Sequence, residues 1–273
     1  MMQELFFSFE LVKYGILSAI LLGISLSFTS PFLILRKNSL FPHALTHVLF
    51  FAIMITSAFE AKIPASLVYP TIFLIAMLSA STILLLKYIK FYEDTATAII
   101  THFFLALGLI VAAKTSQYNA KLLSYLFGSV VGLTKTDLYQ SVFLLVFTIA
   151  LFYKFYPLWI AQTTDEALPG IDFKLANFFY LFLLTFQILV GIKIMGILLV
   201  SAFFVISGAV ALKLSKGFAL TIGITAVLNT LAILGGFIFS FLWDLPFSGA
   251  VVVFMGLYLV GFSIFRLISE GRR

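Results

Sequence analysis

The sequence holds three histidines, and two of them, His43 and His47, stand four residues apart. On a helix that spacing projects both imidazoles from one face about one turn apart, so two ring nitrogens can meet one divalent ion. Thr46 adds a hydroxyl beside them. Two ligands do not complete a zinc, manganese or iron site, so further oxygen or nitrogen donors must come from another helix, a second copy of the chain or water. The same pair at a helix start also serves packing or hydrogen bonding, and spacing alone leaves both readings open. His102 lies among Thr97 and Thr101 at helical spacing, either as a further metal contact or as one member of an interhelical hydrogen bond.

Little else in the chain offers chemistry. Cysteine is absent, which excludes disulfides, thiolate ligands and cysteine nucleophiles. No HExxH, GxSxG or Walker A pattern occurs, so neither zinc hydrolysis, serine hydrolysis nor nucleotide binding has a sequence basis. Gln187 and Asn229 fall inside apolar stretches, where their amides must find partners or line a wet route. Met54, Met195 and Met255 read as packing, and Glu60 and Asp244 as loop boundaries.

The elements that must position these residues are membrane helices. Of 273 residues, 62% are hydrophobic and only 10% charged, which leaves almost nothing to face water. The apolar runs are continuous rather than alternating, so the chain reads as all-α, a polytopic integral membrane protein and not a barrel. Charges divide it into candidate spans at 11–35, 40–59, 64–86, 95–113, 138–160, 175–192, 194–212, 218–241 and 247–267, giving eight or nine transmembrane helices in one domain over residues 1–273. The stretch 122–133 is apolar but too short to cross, and reads as a re-entrant or interfacial element. Gly128 and Gly132 within it, and Gly15, Ala19 and Gly23 in the first span, have the four-residue spacing by which helices approach closely in lipid.

With the N-terminus outside and nine crossings, eleven basic residues fall at cytoplasmic ends, Arg36, Lys37, Lys87, Lys90 and Lys174 among them, and six at outer ends. The formal charge of +6 then needs no nucleic-acid partner, because basic anchors at an anionic leaflet account for it. The longest polar interval, 161–172, falls on the cytoplasmic side. Thr163 or Thr164 followed by Asp165 and Glu166 can cap a short helix that Pro169 and Gly170 would stop. It is either an ordinary connector or a segment that docks on a cytoplasmic motor.

Several ordered motifs resemble the membrane permeases of the zinc, manganese and iron ABC importers, the ABC-3 metal permeases. They include Pro31-Phe-Leu-Ile-Leu-Arg-Lys-Asn-Ser-Leu40 at the exit of the first span, Phe41-Pro-His-Ala-Leu-Thr-His47, Glu93-Asp94, Tyr125-Leu-Phe-Gly-Ser129, Asp165-Glu166 with Gly170, and Ile192-Lys-Ile-Met-Gly-Ile-Leu-Leu-Val-Ser-Ala202. The family's metal-contacting pair is an Asp and a His four residues apart. His47 matches the His, and His43 stands at the Asp position. Pro42 replaces a family Gly, Phe51-Ala52 a Pro-Gly, and Ser207 a Pro. An imidazole in place of a carboxylate shifts preference from manganese toward zinc.

The resemblance implies a transport subunit of an ATP-driven importer in the bacterial inner membrane rather than an enzyme, with no permanently bound cofactor. Its cargo would be a divalent metal ion, and its metal contacts His47, His43 and, secondarily, His102. Its partners would be a second permease protomer, two cytoplasmic ABC ATPase subunits that bind the ATP, an extracytoplasmic metal-binding protein and membrane lipid. Asp165, Glu166 and Gly170 in 161–172 would couple it to the ATPase. An ABC permease for a larger metal chelate, a secondary cation transporter and a structural membrane protein are the competing readings.

Overall fold

Lipid offers no hydrogen bonds to a backbone, so a continuously apolar chain must satisfy its own N–H and C=O groups within helices. The computed structural model describes residues 2–115, 120–128, 130, 132–163 and 173–270, and every regular element among them is helical. In chain order these are α1 (Met2–Ser27), α2 (Ser30–Leu35), α3 (Phe41–Ala58), α4 (Val68–Tyr88), α5 (Glu93–Lys114), α6 (Ala120–Phe127), α7 (Lys135–Thr163), α8 (Lys174–Leu214), α9 (Phe218–Trp243) and α10 (Phe247–Glu270). Short 3-10 turns at Glu60–Lys62 and Ala65–Leu67 join α3 to α4. Among the described residues seven helices are long and apolar enough to cross a bilayer, and α1 adds the shorter apolar stretch Val12–Ser27.

The helix α8 supplies two crossings. Its 41 residues would run roughly 60 Å if straight, twice a bilayer's hydrocarbon core. At Gly196 the backbone leaves the helix, with φ of 79° and ψ of 166°. A methyl group built on Gly191 would meet the Val200 side chain at 2.7 Å, a contact that nine residues of continuous helix could not make. The chain therefore turns back, and residues 174–195 and 197–214 form an antiparallel pair. Counted so, with α1 included, the described residues hold nine apolar segments, consistent with the expected eight or nine transmembrane helices.

The short element α6 seats on that reversal. It ends at Phe127 because Gly128 takes φ of 73°, and the two left-handed glycines lie back to back. A methyl on Gly196 would stand 2.4 Å from the Gly128 nitrogen, and one on Gly128 would stand 2.4 Å from the Met195 carbonyl carbon. Only residues without a side chain fit there. The four-residue spacing of Gly128 and Gly132 is thus not a helix-packing face, since both have positive φ and lie beyond the helix end. The Gly15, Ala19, Gly23 stripe does pack: Gly15 lies on Val130, Ala19 is fully buried, and Gly23 meets Asn229 and Ile233 of α9.

One expected span is divided. The 11–35 stretch breaks after Ser27, because Pro31 has no N–H to donate and its ring would clash with the carbonyl four residues earlier. Thr29 at this break starts a buried polar network. Its hydroxyl donates to Gln187 Oε1 at 2.9 Å, Gln187 Nε2 donates to the Ser25 carbonyl at 3.0 Å, and the hydroxyls of Ser25 and Thr148 share a bond of 2.7 Å. Nearby, Ser30 Oγ donates to the Phe204 carbonyl at 2.7 Å. These bonds fix α1, α2 and α7 to both arms of α8, while few of the described residues of α4 and α10 are buried.

Replacing Gly196 with Ala should combine left-handed strain of about 1–3 kcal/mol with backbone overlap, and sharply lower thermal stability in detergent. Gly132→Ala, where φ is 94° but no described residue lies within 4 Å, should carry the strain alone. Equal melting temperatures for the two variants would contradict the back-to-back contact.

Candidate metal-contact site

The candidate site begins at the elbow between α2 and α3. Lys37 takes the left-handed conformation usually given to glycine at a helix end, with φ of 59°. The amide of Asn38 then returns to the Leu33 carbonyl at 2.8 Å and that of Lys37 to the Ile34 carbonyl at 3.0 Å, closing α2. Pro42 in the first turn of α3, where no N–H is required, starts the next helix. His43 follows it immediately.

The imidazoles of His43 and His47 meet edge to face, with ring centres 4.7 Å apart. The His43 side chain is exposed, whereas His47 is only 8% exposed and its Nδ1 is buried with no hydrogen-bond partner among the described residues. Thr46 does not join them. Its hydroxyl donates to the His43 carbonyl at 2.7 Å and is spent on the helix backbone. The helix spacing of the pair is therefore realised, but the expected extra hydroxyl is not.

The third histidine comes from α5, which packs closely along α3. Gly108 allows the approach, since a methyl there would overlap the Phe50 ring at 2.6 Å, and the rings of Phe51 and Phe104 lie 5.4 Å apart. This brings His102 within electrostatic range of both His43 and His47. Its side chain is exposed, and Thr101 is bonded to the Thr97 carbonyl at 2.7 Å rather than to the histidine. Among the described residues no group of three or more His, Cys, Asp or Glu is arranged to hold a metal ion by itself. The three histidines are carried by the packed α3 and α5 pair, with His43 and His47 in ring contact.

The other polar residues singled out from sequence are mostly structural. Gln187 is consumed by the network at Thr29, and Asn229 Nδ2 donates to the Gly23 carbonyl at 2.8 Å. Met54, Met195 and Met255 are fully buried in the apolar core. Asp244 ends α9 in a left-handed turn, and Glu60 sits exposed in the 3-10 turn after α3. Ser207 shares a 2.6 Å hydrogen bond with Tyr258, tying α8 to α10. Asp165, Glu166 and Gly170 lie outside the described residues, but the flanks of their segment are fixed. Arg36 Nη2 donates to the Trp159 carbonyl at 3.0 Å, and Trp159 Nε1 donates to the Ala176 carbonyl at 3.0 Å. Arg36 also stacks over the Tyr180 ring at 4.7 Å. Burial pushes the Arg36 pKa down and Tyr180 pushes it up, and a guanidinium remains charged at neutral pH.

One ionised pair escaped the sequence reading. Asp137, 3% exposed near the start of α7, is ion-paired with Lys193 beside the α8 reversal. The Thr134 amide and hydroxyl also donate to Asp137 Oδ2, at 2.9 and 3.0 Å. The signal was present as Thr134-x-x-Asp137, a capping box at the mouth of a helix. The carboxylate is already paired, so it is poorly placed to carry protons.

The family model described as the ABC 3 transport family matches residues 8–266. The zinc uptake system membrane protein ZnuB of Buchnera aphidicola is 26% identical over 265 residues, covering 95% of this chain and all of that one. The manganese transport system membrane protein MntC of Halalkalibacterium halodurans is 25% identical over 272 residues, covering 97% of this chain and 90% of its own. Among solved structures, a chain of PsaBC from Streptococcus pneumoniae in complex with Fab shares the fold with a TM-score of 0.83, at 21% identity over 96% of this chain and 95% of that one.

Asp137→Asn should destabilise the chain by an amount between the ~1 kcal/mol of an exposed ion pair and the ~3–5 kcal/mol of a buried one, because Lys193 is half exposed. Asp137→Leu combined with Lys193→Met should recover much of that loss in thermal unfolding. A double variant as unstable as the sum of the two singles would mean that the pair is not coupled.

Proposed function

This chain belongs to the ABC 3 transport family, and we propose that it is the membrane permease subunit of an ATP-driven importer whose cargo is zinc. The observation that carries this reading is the His43 and His47 pair, one helical turn apart, with a buried nitrogen on His47 that has no partner among the described residues, and His102 on the adjacent α5. Neutral imidazoles are borderline ligands that suit zinc better than manganese, and no carboxylate stands at the His43 position to favour the harder ion. The metal is substrate here, so a loosely held, incompletely coordinated ion is an advantage. A closed four-ligand site would bind zinc as structure and retain it. The open coordination positions are filled by water or by the same face of a second permease copy.

Energy and direction come from other subunits. Two cytoplasmic ABC ATPases bind the inner face and an extracytoplasmic metal-binding protein delivers the ion, in the bacterial inner membrane. The inner flanks of 164–172 offer a mechanical route. The end of α7 and the start of α8 are joined by the Trp159 to Ala176 bond, and Arg36 clamps both to the elbow that precedes His43. A displacement of the segment therefore reaches α3 through hydrogen bonds and packed rings rather than through a flexible loop.

His47→Ala should lower ATP-dependent zinc uptake by roughly tenfold or more in vesicles that also hold the ATPase and binding protein, with little change in folded protein. His43→Ala should have a smaller effect in the same direction. Zinc, manganese and iron compared at controlled free concentrations test the cargo, and normal uptake by a folded His43/His47 double alanine variant would defeat the site. Neutralising Asp165 and Glu166 together should weaken ATPase association while leaving the permease inserted, as a pull-down from detergent extracts would register.

A further inference from the structure

The first arm of α8 starts at Lys174, at the basic end of the bundle, and reaches Lys193 at the opposite end, which places Lys193 at the level of the outer leaflet. A cavity of about 410 Å³ opens beside it, walled by α4 and α7 and floored by α8. That volume is within the roughly 300–1,000 Å³ usual for small-molecule sites. From Lys193 the floor descends to Phe186, roughly 10 Å along the helix, or about two-thirds of one leaflet's hydrocarbon depth. The lower end is aromatic. Phe186 meets the ring of Phe73 from α4 at 6.3 Å and that of Phe143 from α7 at 6.3 Å. The mouth opens sideways on the flank of a membrane span, where Tyr139 is 68% and Phe143 61% exposed.

The upper end carries a cation. Lys193 is paired with Asp137, but the partners are unequally placed, the lysine side chain being 43% exposed and the aspartate 4%. A group entering the groove therefore meets the ammonium before the carboxylate. The ammonium has three donors, of which Asp137 and the Tyr69 phenol take two. We infer that this groove holds one acyl chain of an outer-leaflet phospholipid, with the lipid phosphate on Lys193. The chain lies along Val190 toward Phe143 and Phe186. Tyr69 and Tyr139 stand at the headgroup level, where a ring with a polar tip is favoured. A soluble anion would leave the aromatic floor bare, and an uncharged chain would leave the exposed ammonium against hydrocarbon. A phospholipid satisfies both ends, and it joins α7 to α4, few of whose described residues are buried. Zinc transport and lipid binding are separable claims, since none of the three histidines lines the groove.

The test is native mass spectrometry of the full-length chain in mild detergent, given equal amounts of phosphatidylglycerol and a diacylglycerol with the same chains. Wild type should retain one phosphatidylglycerol in preference to diacylglycerol by about fivefold, the factor that one lysine contributes at an anionic surface. Val190→Phe fills the groove without touching the ion pair, and it should abolish retention of both lipids. Asp137→Leu combined with Lys193→Met removes the cation and keeps the groove, so both lipids should be retained equally; this arm keeps the test decisive if the filled variant does not fold. Equal retention of the two lipids by wild type, undiminished retention by Val190→Phe, or a preference that survives in the double variant would overturn the proposal. Equal retention of a free fatty acid by wild type would assign the groove to any anionic amphiphile. A disulfide between two copies carrying Tyr139→Cys, in a chain with no native cysteine, would assign it to a second protomer. Either result overturns the phospholipid assignment.

Discussion

The contact between Gly128 and Gly196 is the constraint on which the rest of the bundle depends. An apolar stretch as long as α8 has no reason of its own to bend, since every backbone group in it can be satisfied by continuing the helix. It is turned by a residue that adopts a left-handed conformation without penalty, and the turn is held by a second such residue from α6 at a distance no side chain permits. Asp137 and Lys193 tether the same corner to α7. Once the reversal is made, both arms of α8 lie beside α1 and α2, and Gln187 and Phe204 fall level with Thr29 and Ser30.

Helices in lipid gain little from hydrophobic association, so the order of the bundle rests on close packing and on polar groups that must find one another. The Gln187 network and the Asn229 to Gly23 bond meet this demand within the protein. His47 does not: its Nδ1 is buried and has no hydrogen-bond partner among the described residues, whereas the hydroxyls of Thr46 and Thr101 are bonded to the backbone of their own helices. What sets His47 apart from the other unpartnered groups is that its free atom is a ring nitrogen of a ligand-type side chain, in contact with a second imidazole.

The span limits were legible because charge is costly in lipid and therefore marks helix ends: Lys174, Lys213 and Lys216 bracket α8, and the expected 218–241 and 247–267 runs fall inside α9 and α10. The four-residue spacing of His43 and His47 was equally legible, since helix geometry dictates the shared face. The division of the first span was not read, although Pro31 announced it, because hydropathy runs on unchanged across Phe28 and Thr29. Gly128 and Gly132 were misread because spacing says nothing about the sign of φ. Asp137 was passed over because its partner, Lys193, is 56 residues away and belongs to a different helix. The hydroxyl of Thr46 was expected beside the histidines but is used by the helix itself.

The inner end of the bundle joins two demands that ordinarily conflict. A segment that receives motion from a motor needs stiff flanks, and stiffness in a membrane protein is built from buried hydrogen bonds and packed rings. Arg36, Trp159 and Tyr180 supply this, with Phe32 against Trp159 at 5.8 Å completing an aromatic plug between α2, α7 and α8. A guanidinium placed among such rings cannot reach water with all its donors, and its Nε is buried. The clamp that stiffens the route to His43 therefore depends on the burial of Arg36 at the membrane's edge, where the Trp159 carbonyl and the Tyr180 ring stand in for the water it has lost.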